Sequence, residues 1–148
     1  MNWYSVELRG REQHCGTTPM HLRADTLLCA AQMIVKINEV AINTPGSVAS
    51  VAVINSSPQS INTLAGHVQF NIDARAKDDT LLQELDEKLR TACEGVAEES
   101  GVRLVKWDKF WSSARTTFDE TAVEMVRQSV KESGFGFKEL QSGAGHDS

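Results

Sequence analysis

Cysteine is scarce in this sequence, and the cysteines that are present do not form a disulfide pattern. The 148 residues contain three, an odd number, and no two of them stand in a CxxC pair. Small secreted domains that depend on disulfides carry more cysteines, usually in even numbers. We therefore expect a reducing compartment and a cytoplasmic protein. Cys29 and Cys93 fall within apolar helical patterns, which predicts that they are buried as small hydrophobic residues.

Long apolar runs and clusters of basic residues are also missing. The most apolar stretch, 27–40, is interrupted by four polar or charged residues, so it does not read as a membrane span. No charged segment followed by an apolar one opens the chain, so no signal peptide is expected. Fifteen Lys and Arg against twenty Asp and Glu give a net charge of −5. Because the basic residues are dispersed, we expect neither a nucleic-acid partner nor a membrane.

Short segments of alternating apolar and polar residues are frequent, by contrast, and they predict four β-strands. The clearest lies at 67–76, where the apolar residues from Val68 to Ala74 share one face and the polar residues from Gln69 to Arg75 share the other. The four segments read "NWYSVELRG", "SVASVAVINS", "HVQFNIDARA" and "VRLVKWDKFW".

Two segments between these strands have helical periodicity. The first follows Thr18, a plausible cap, with Pro19 at the first helical position. The second runs over 79–99 and ends at Gly101. Each presents one apolar stripe, formed in the first helix by Leu27, Ala30, Ala31, Ile34, Ile37 and Ala41, and in the second by Leu82, Leu85, Leu89, Ala92 and Val96.

The order β-α-β-β-α-β predicts an α+β fold of the ferredoxin-like type, a four-stranded antiparallel sheet with two helices on one face. This unit would occupy residues 1–115. Residues 116–148 add a helix, opened by a capping box from Thr117 to Glu120 and closed by Gly134, and then a short strand that runs into a loop. A lone helix and strand cannot bury their apolar surfaces, so we expect this chain to be a piece of a longer protein.

The most specific loop reads "GREQHCGTTPMHLRAD". It places His14 beside a glycine, two hydroxyl side chains and a helix N-terminus, which together can hold an anion. Alternatively, Thr17 and Thr18 only cap the helix and His14 is a solvated loop residue. The loop by itself leaves both interpretations open.

Three motifs resemble one known family. "HCGTTPM" followed by R-A-D is similar to the signature "HAGTTPM..R.D" of the N-carbamoyl-L-amino-acid hydrolase and allantoate amidohydrolase family, which includes β-ureidopropionases. "PQSINTLAGHVQFNIDARAKDD" resembles "P...N.IPG.v.f.lD.R", and "SGAGHDS" resembles "SGAGHDA". The departures at Cys15, Leu64, Ala65 and Ser148 remove no functional group. The three motifs stand in the family's order and span nearly the whole chain.

The resemblance implies a domain organisation. Members of this family are dinuclear metal amidohydrolases related to aminoacylase and carboxypeptidase G, with a lid or dimerisation domain inserted into a metal-binding domain. Residues 1–115 would be the lid, and 116–148 a fragment of the catalytic domain. The family's Asp, Glu and His ligands lie outside these segments, so this chain is expected to bind no metal and to be inactive alone. Two divalent ions, zinc or manganese, are expected in the full-length parent.

The resemblance also assigns site residues. His14 matches a lid histidine that reaches the active site of a neighbouring subunit, where it can polarise the scissile carbonyl as a catalytic residue. Asn62 and Arg75 match residues that hold the substrate carboxylate, a role suited to the guanidinium fork. Without the family, a surface ion pair of Arg75 with Asp73 or Asp78 is the favoured interpretation.

Three further residues are implied to bind substrate. Gly145 and His146 match a loop near the carbamoyl or amide group, and Gln13 is an additional candidate. The expected substrate is a small amide or ureido compound that bears a carboxylate, and the expected partner is a second copy joined through the lid. The alternatives are a peptidase or aminoacylase relative on the same scaffold, or a purely structural dimerisation module.

Overall fold

The computed structural model describes residues 1–144. The chain divides into two compact units, Met1–Ser113 and Ala114–Ser148. The first unit holds six strands, two α-helices and a 3-10 turn at Met20–Leu22. Along the chain, the strands and helices are β1 Asn2–Arg9, β2 Gln13–His14, α1 Thr26–Ile42, β3 Ser47–Ser57, β4 Thr63–Leu64, β5 His67–Ala76, α2 Asp79–Glu99 and β6 Arg103–Ser112.

The main sheet of the first unit has the strand order β3-β5-β1-β6, with every neighbouring pair antiparallel. The predicted α+β, ferredoxin-like arrangement is therefore confirmed. Alternation sets the two faces of the sheet: from Val68 to Ala74, every second residue of β5 is buried, and Val6 of β1 lies opposite Phe70 in register. Cys29 of α1 and Cys93 of α2 are fully buried in the same core, as their positions predicted.

Helix α1 begins later than its sequence pattern suggested. The predicted start at Thr18 and Pro19 is wrong: the helix starts at Thr26, and the carboxylate of Asp25 caps it by accepting the backbone N–H of Leu28 at 3.0 Å. The residues before it are held in a loop, because Arg23 binds the carbonyl oxygens of Cys15 and Thr18 and Gln13 binds the backbone N–H of Ala24.

The buried stripe of α1 also differs from the predicted one. Leu27 is 44% exposed and Ala31 is exposed, whereas Cys29 and Met33 are fully buried. Two overlapping stripes both satisfy helical spacing. The stripe that is buried in the core contains Cys29 and Met33 together with Ala30, Ile37 and Ala41. Helix α2, by contrast, runs from Asp79 to Glu99 as predicted, and Gly101 ends it with a φ of 61°.

The second unit contains helix α3, Glu120–Glu132. Its cap is Asp119, which accepts the N–H of Ala122, rather than the predicted Thr117. Gly134 ends the helix with a φ of 76°, as expected. The predicted strand after it does not form between 135 and 144, because a strand needs a neighbour to receive its backbone hydrogen bonds. Up to Ala144, the chain contains no helix long and apolar enough to cross a membrane.

Candidate functional site

A small second sheet brings together two predicted site residues that are far apart in the sequence. Strands β2 and β4 pair antiparallel, with His14 opposite Thr63 and Gln13 opposite Leu64. The next residue, Cys15, donates its backbone N–H to the carbonyl oxygen of Asn62 at 2.8 Å. His14 and Asn62 therefore lie on adjoining segments of backbone. Two loops that are about 50 residues apart in the sequence meet here in the fold.

The hydrogen bond of the His14 imidazole fixes its tautomer. The backbone N–H of Gly16 donates to Nδ1 of His14 at 3.0 Å, so Nδ1 supplies a lone pair. A neutral imidazole must then carry its proton on Nε2. Gly16 lies close to the ring, since a Cβ added to it would be 3.2 Å from His14 Cε1. The His14 side chain is otherwise exposed. The ring can thus offer an Nε2–H to the carbonyl oxygen of a ligand.

The side chain of Asn62 is also oriented by its neighbours. Its Oδ1 accepts hydrogen bonds from Ser60 Oγ at 2.8 Å and from Thr63 Oγ1 at 3.3 Å. These contacts occupy the acceptor end of the amide, and within residues 1–144 its Nδ2 group has no acceptor. Asn62 therefore presents a neutral hydrogen-bond donor beside His14.

Gln13 has a different role in this geometry. Its Nε2 donates to the carbonyl oxygen of Leu22 at 3.2 Å, and its Oε1 accepts the backbone N–H of Ala24 at 3.2 Å. Both ends of the amide thus brace the segment that precedes α1. These two hydrogen bonds stabilise the loop before α1, and substrate binding by Gln13 stays a prediction.

Arg75 lies on the uncovered face of the sheet, as predicted, but away from His14. Its Nε and Nη2 bind Asp73 Oδ1 and Oδ2 at 2.9 and 2.6 Å, a two-pronged ion pair. The hydrogen bond from Arg75, more than any other contact, lowers the pKa of the Asp73 carboxyl. Strand β5 starts at His67 beside the small sheet, and the eight steps to Arg75 span roughly 26 Å. One chain therefore does not place Arg75 beside His14 and Asn62.

Two predicted residues, Gly145 and His146, lie outside the described residues. Among residues 1–144, no group of three or more His, Cys, Asp and Glu side chains is placed to hold a metal ion. The described part of the chain thus offers no set of ligands into which a metal would fit.

Arg23 is a further residue of the loop, and its role was not predicted from the sequence. Arg23 donates from Nη2 to the carbonyl oxygen of Cys15 at 2.6 Å and from Nε to that of Thr18 at 3.0 Å. The signal was present, since Arg23 is the arginine of the "HCGTTPM..R.D" motif, but only the folded loop shows what it binds.

Comparison with known proteins finds that this chain is similar in sequence to part of several amidohydrolases. The N-carbamoyl-L-amino-acid amidohydrolase of Paenarthrobacter aurescens is 34% identical over 144 residues, covering 97% of this chain and 35% of that protein. The allantoate amidohydrolase of Bacillus subtilis is 29% identical over 145 residues, with coverage of 97% and 35%. No family model matches the chain.

A solved structure agrees with these relatives. The hydantoinase/carbamoylase family amidase from Burkholderia ambifaria superposes with a TM-score of 0.91 at 34% identity, over 98% of this chain and 36% of that one. The chain is therefore homologous to the N-carbamoyl-L-amino-acid and allantoate amidohydrolases, and the resemblance drawn from its motifs is confirmed. It spans about 35% of the length of the curated relatives it matches.

Proposed function

We propose that this chain is the lid and substrate-binding part of an amidohydrolase that cleaves a C–N bond in a linear amide bearing a carboxylate. N-carbamoyl amino acids, ureido acids and allantoate are the substrate classes that the names of the relatives suggest. The observation that carries the proposal is the pairing of β2 with β4, which brings the backbone segments of His14 and Asn62 together while Nδ1 of His14 accepts a hydrogen bond from Gly16.

The chemistry of His14 follows from its tautomer. An Nε2–H donor placed at a carbonyl oxygen polarises the C=O bond, and the hydrogen bond strengthens as that oxygen gains negative charge during attack on the carbonyl carbon. An interaction that is stronger in the transition state than in the ground state raises kcat. His14 would therefore act mainly on the rate, while Asn62 would help to orient the substrate.

Arg75 would bind the carboxylate of the substrate, but from another copy of the chain. The sheet places Arg75 roughly 26 Å along β5 from the end that carries His14, a span beyond the reach of a small substrate. If one substrate touches both, His14 and Asn62 come from one copy and Arg75 from a second. This geometry supports the proposed homodimer, in which each site is shared.

Metal dependence is part of the same proposal, and it rests on the resemblance alone. Two divalent ions, zinc or manganese, would be held by residues of the full-length parent, where they would supply Lewis acidity. The described residues offer them no ligand set. Every role assigned above therefore belongs to hydrogen-bond donors and charges of this chain.

The test is an assay of the full-length parent, with and without His14→Ala, on a matched substrate panel. The panel contains N-carbamoyl amino acids, allantoate, N-acyl amino acids and dipeptides, and the last two classes represent the aminoacylase and peptidase alternatives. We expect turnover of the carbamoyl or ureido compounds, with kcat lowered by His14→Ala and KM changed less. Arg11→Ala is the control, since Arg11 is exposed and its guanidinium has no partner within residues 1–144. Preference for dipeptides, or an unchanged kcat in His14→Ala, would contradict the proposal.

A further inference from the structure

The segment that follows His14, between β2 and α1, is held together by an arginine. Between His14 and Asp25 the chain forms a turn at 15–17 and a 3-10 turn at Met20–Leu22. Across this segment, the partly buried guanidinium of Arg23 reaches back to the carbonyl oxygens of Cys15 and Thr18. The 2.6 Å bond to Cys15 is short, as expected when the donor carries a charge.

The carbonyl bound by Arg23 belongs to the same peptide group as the N–H that binds His14. The Cys15 oxygen and the Gly16 N–H are the two ends of one peptide unit, which is planar and has its C=O and N–H on opposite sides. Arg23 holds the oxygen end, and Nδ1 of His14 accepts from the N–H end at 3.0 Å. Rotation of this peptide plane would break both bonds together.

A charge on one end of a peptide group also acts on the other. A cation bound to the carbonyl oxygen withdraws electron density through the amide, so the N–H becomes a better donor. The second bond, from Arg23 Nε to the Thr18 oxygen, fixes the guanidinium plane. Thr18 in turn donates its own N–H to the carbonyl oxygen of His14 at 3.1 Å, which closes the turn around the imidazole.

We propose that Arg23 is a positioning residue that holds His14 in its Nε2–H tautomer through the Cys15–Gly16 peptide group. The inference rests on the proposed function, because that tautomer matters only if His14 donates to a substrate carbonyl. Lysine would serve only in part, since a single ammonium does not reproduce the two-pronged geometry of the fork.

The test is ¹⁵N NMR of the His14 imidazole in the 148-residue chain, at a pH where the ring is neutral. In the unmodified chain we expect the Nε2–H tautomer alone. Arg23→Met keeps the apolar stem and removes the donors, so a second population with the proton on Nδ1 should appear. Arg23→Lys should show a smaller Nδ1–H population, and the control Arg11→Ala should show none.

The outcomes are separable from those of the activity assay. A folded Arg23→Met chain that keeps only the Nε2–H tautomer overturns the role of Arg23, whatever His14 does in catalysis. If Arg23→Met does not fold, the ¹⁵N spectrum of Arg23→Lys is the test. The absence of an Nδ1–H population in that variant would overturn the inference. In the full-length parent, Arg23→Met should lower kcat severalfold with KM little changed. If His14 has no role in catalysis, His14→Ala should leave kcat unchanged, which would contradict the proposed function and not the tautomer effect of Arg23.

Discussion

Gly10, the residue after β1, lies directly against Thr26, the first residue of α1. A Cβ built on Gly10 would lie 2.2 Å from Thr26 Oγ1 and 2.6 Å from the carbonyl oxygen of Ala24. The second neighbour is backbone, so it cannot move aside as a flexible side chain does. The close approach positions the His14 loop, because Gly10 also donates its N–H to the Gly66 oxygen at 2.9 Å, next to β4.

Gly10→Ala should therefore destabilise the first unit by about 1–3 kcal/mol, the usual effect of forcing extra atoms into a packed site. Gly95→Ala is the matched control, because a Cβ at Gly95 meets no atom within 4 Å and the residue lies inside α2. Alanine there should stabilise the unit by roughly 0.5–1 kcal/mol. Urea unfolding of both variants measures the difference, and equal midpoints would show that the contact at Gly10 is easily relieved.

The three thiols should differ sharply in reactivity. Cys29 and Cys93 are fully buried, whereas Cys15 is partly exposed in the site loop. Burial raises the pKa of the Cys93 thiol from 9.0 to about 12 and also raises that of Cys29, and only the thiolate reacts. Iodoacetamide at pH 8 should label Cys15 alone, as read by mass spectrometry. Urea should expose all three, and rapid labelling of Cys93 in the folded chain would refute the packing described here.

Alkaline pH should weaken the fold. The unfolded chain releases the Cys93 proton near pH 9, whereas the folded chain keeps it until about 12. Folding must take up a proton within that window, so the stabilising contribution is complete below pH 9 and is lost as the pH rises toward 12. The loss approaches about 1.4 kcal/mol per pH unit for one such thiol. The pKa of Tyr4 is raised in the same direction by burial and by Asp86, so it adds to the effect above pH 10.

Urea unfolding at pH 8, 9 and 10 measures this slope, and Cys93→Ala serves as the comparison. The alanine variant has a lower stability at every pH because it leaves a cavity, but its decline between pH 9 and 10 should be shallower. If the stability of both chains falls equally between pH 9 and 10, the titration of groups other than Cys93 causes the alkaline weakening.

Arg75→Ala in the full-length parent should raise KM strongly for substrates that carry a carboxylate. Charged hydrogen bonds of this kind contribute about 1.5–3 kcal/mol, which corresponds to roughly a tenfold to hundredfold loss in kcat/KM. Asp73→Asn is the informative companion, because it removes the charge that Arg75 now pairs with at 2.6 Å and should leave the guanidinium able to bind a carboxylate. An unchanged KM in Arg75→Ala would mean that Arg75 does not bind the carboxylate of the substrate.

Mixing these two impaired variants of the full-length parent should restore activity if His14 and Arg75 serve one site from different copies. In a heterodimer of His14→Ala with Arg75→Ala, one site retains both intact residues and the other loses both. Random pairing in a two-fold dimer then gives up to about a quarter of the unmodified activity. Steady-state rates after unfolding and refolding the mixture check this. No recovery from a mixture shown to contain heterodimers would place His14 and Arg75 in the same copy.

Much of this architecture could be read from local pattern. Alternation along 67–76 assigned Val68 and Phe70 to the core and Arg75 to the open face, because side chains of a strand alternate between its two sides whatever the strand packs against. The bounds of α2 followed in the same way from its periodicity, and Gly101 marked its end. The three motifs pointed to the amidohydrolase relatives because they carry specific side chains at fixed spacings.

The remainder depended on tertiary contacts. The capping signal of Thr18 and Pro19 favoured an early start for α1, but Arg23 and Gln13 bind backbone groups of the preceding loop, and Asp25 is the cap. Likewise, no local signal pairs β2 with β4, since a two-residue ladder has too little pattern to detect. The sequence by itself determined which residues could donate to a substrate. Only the folded chain decided that His14 and Asn62 stand together while Arg75 lies at the far end of the sheet, because strand direction and length set those distances.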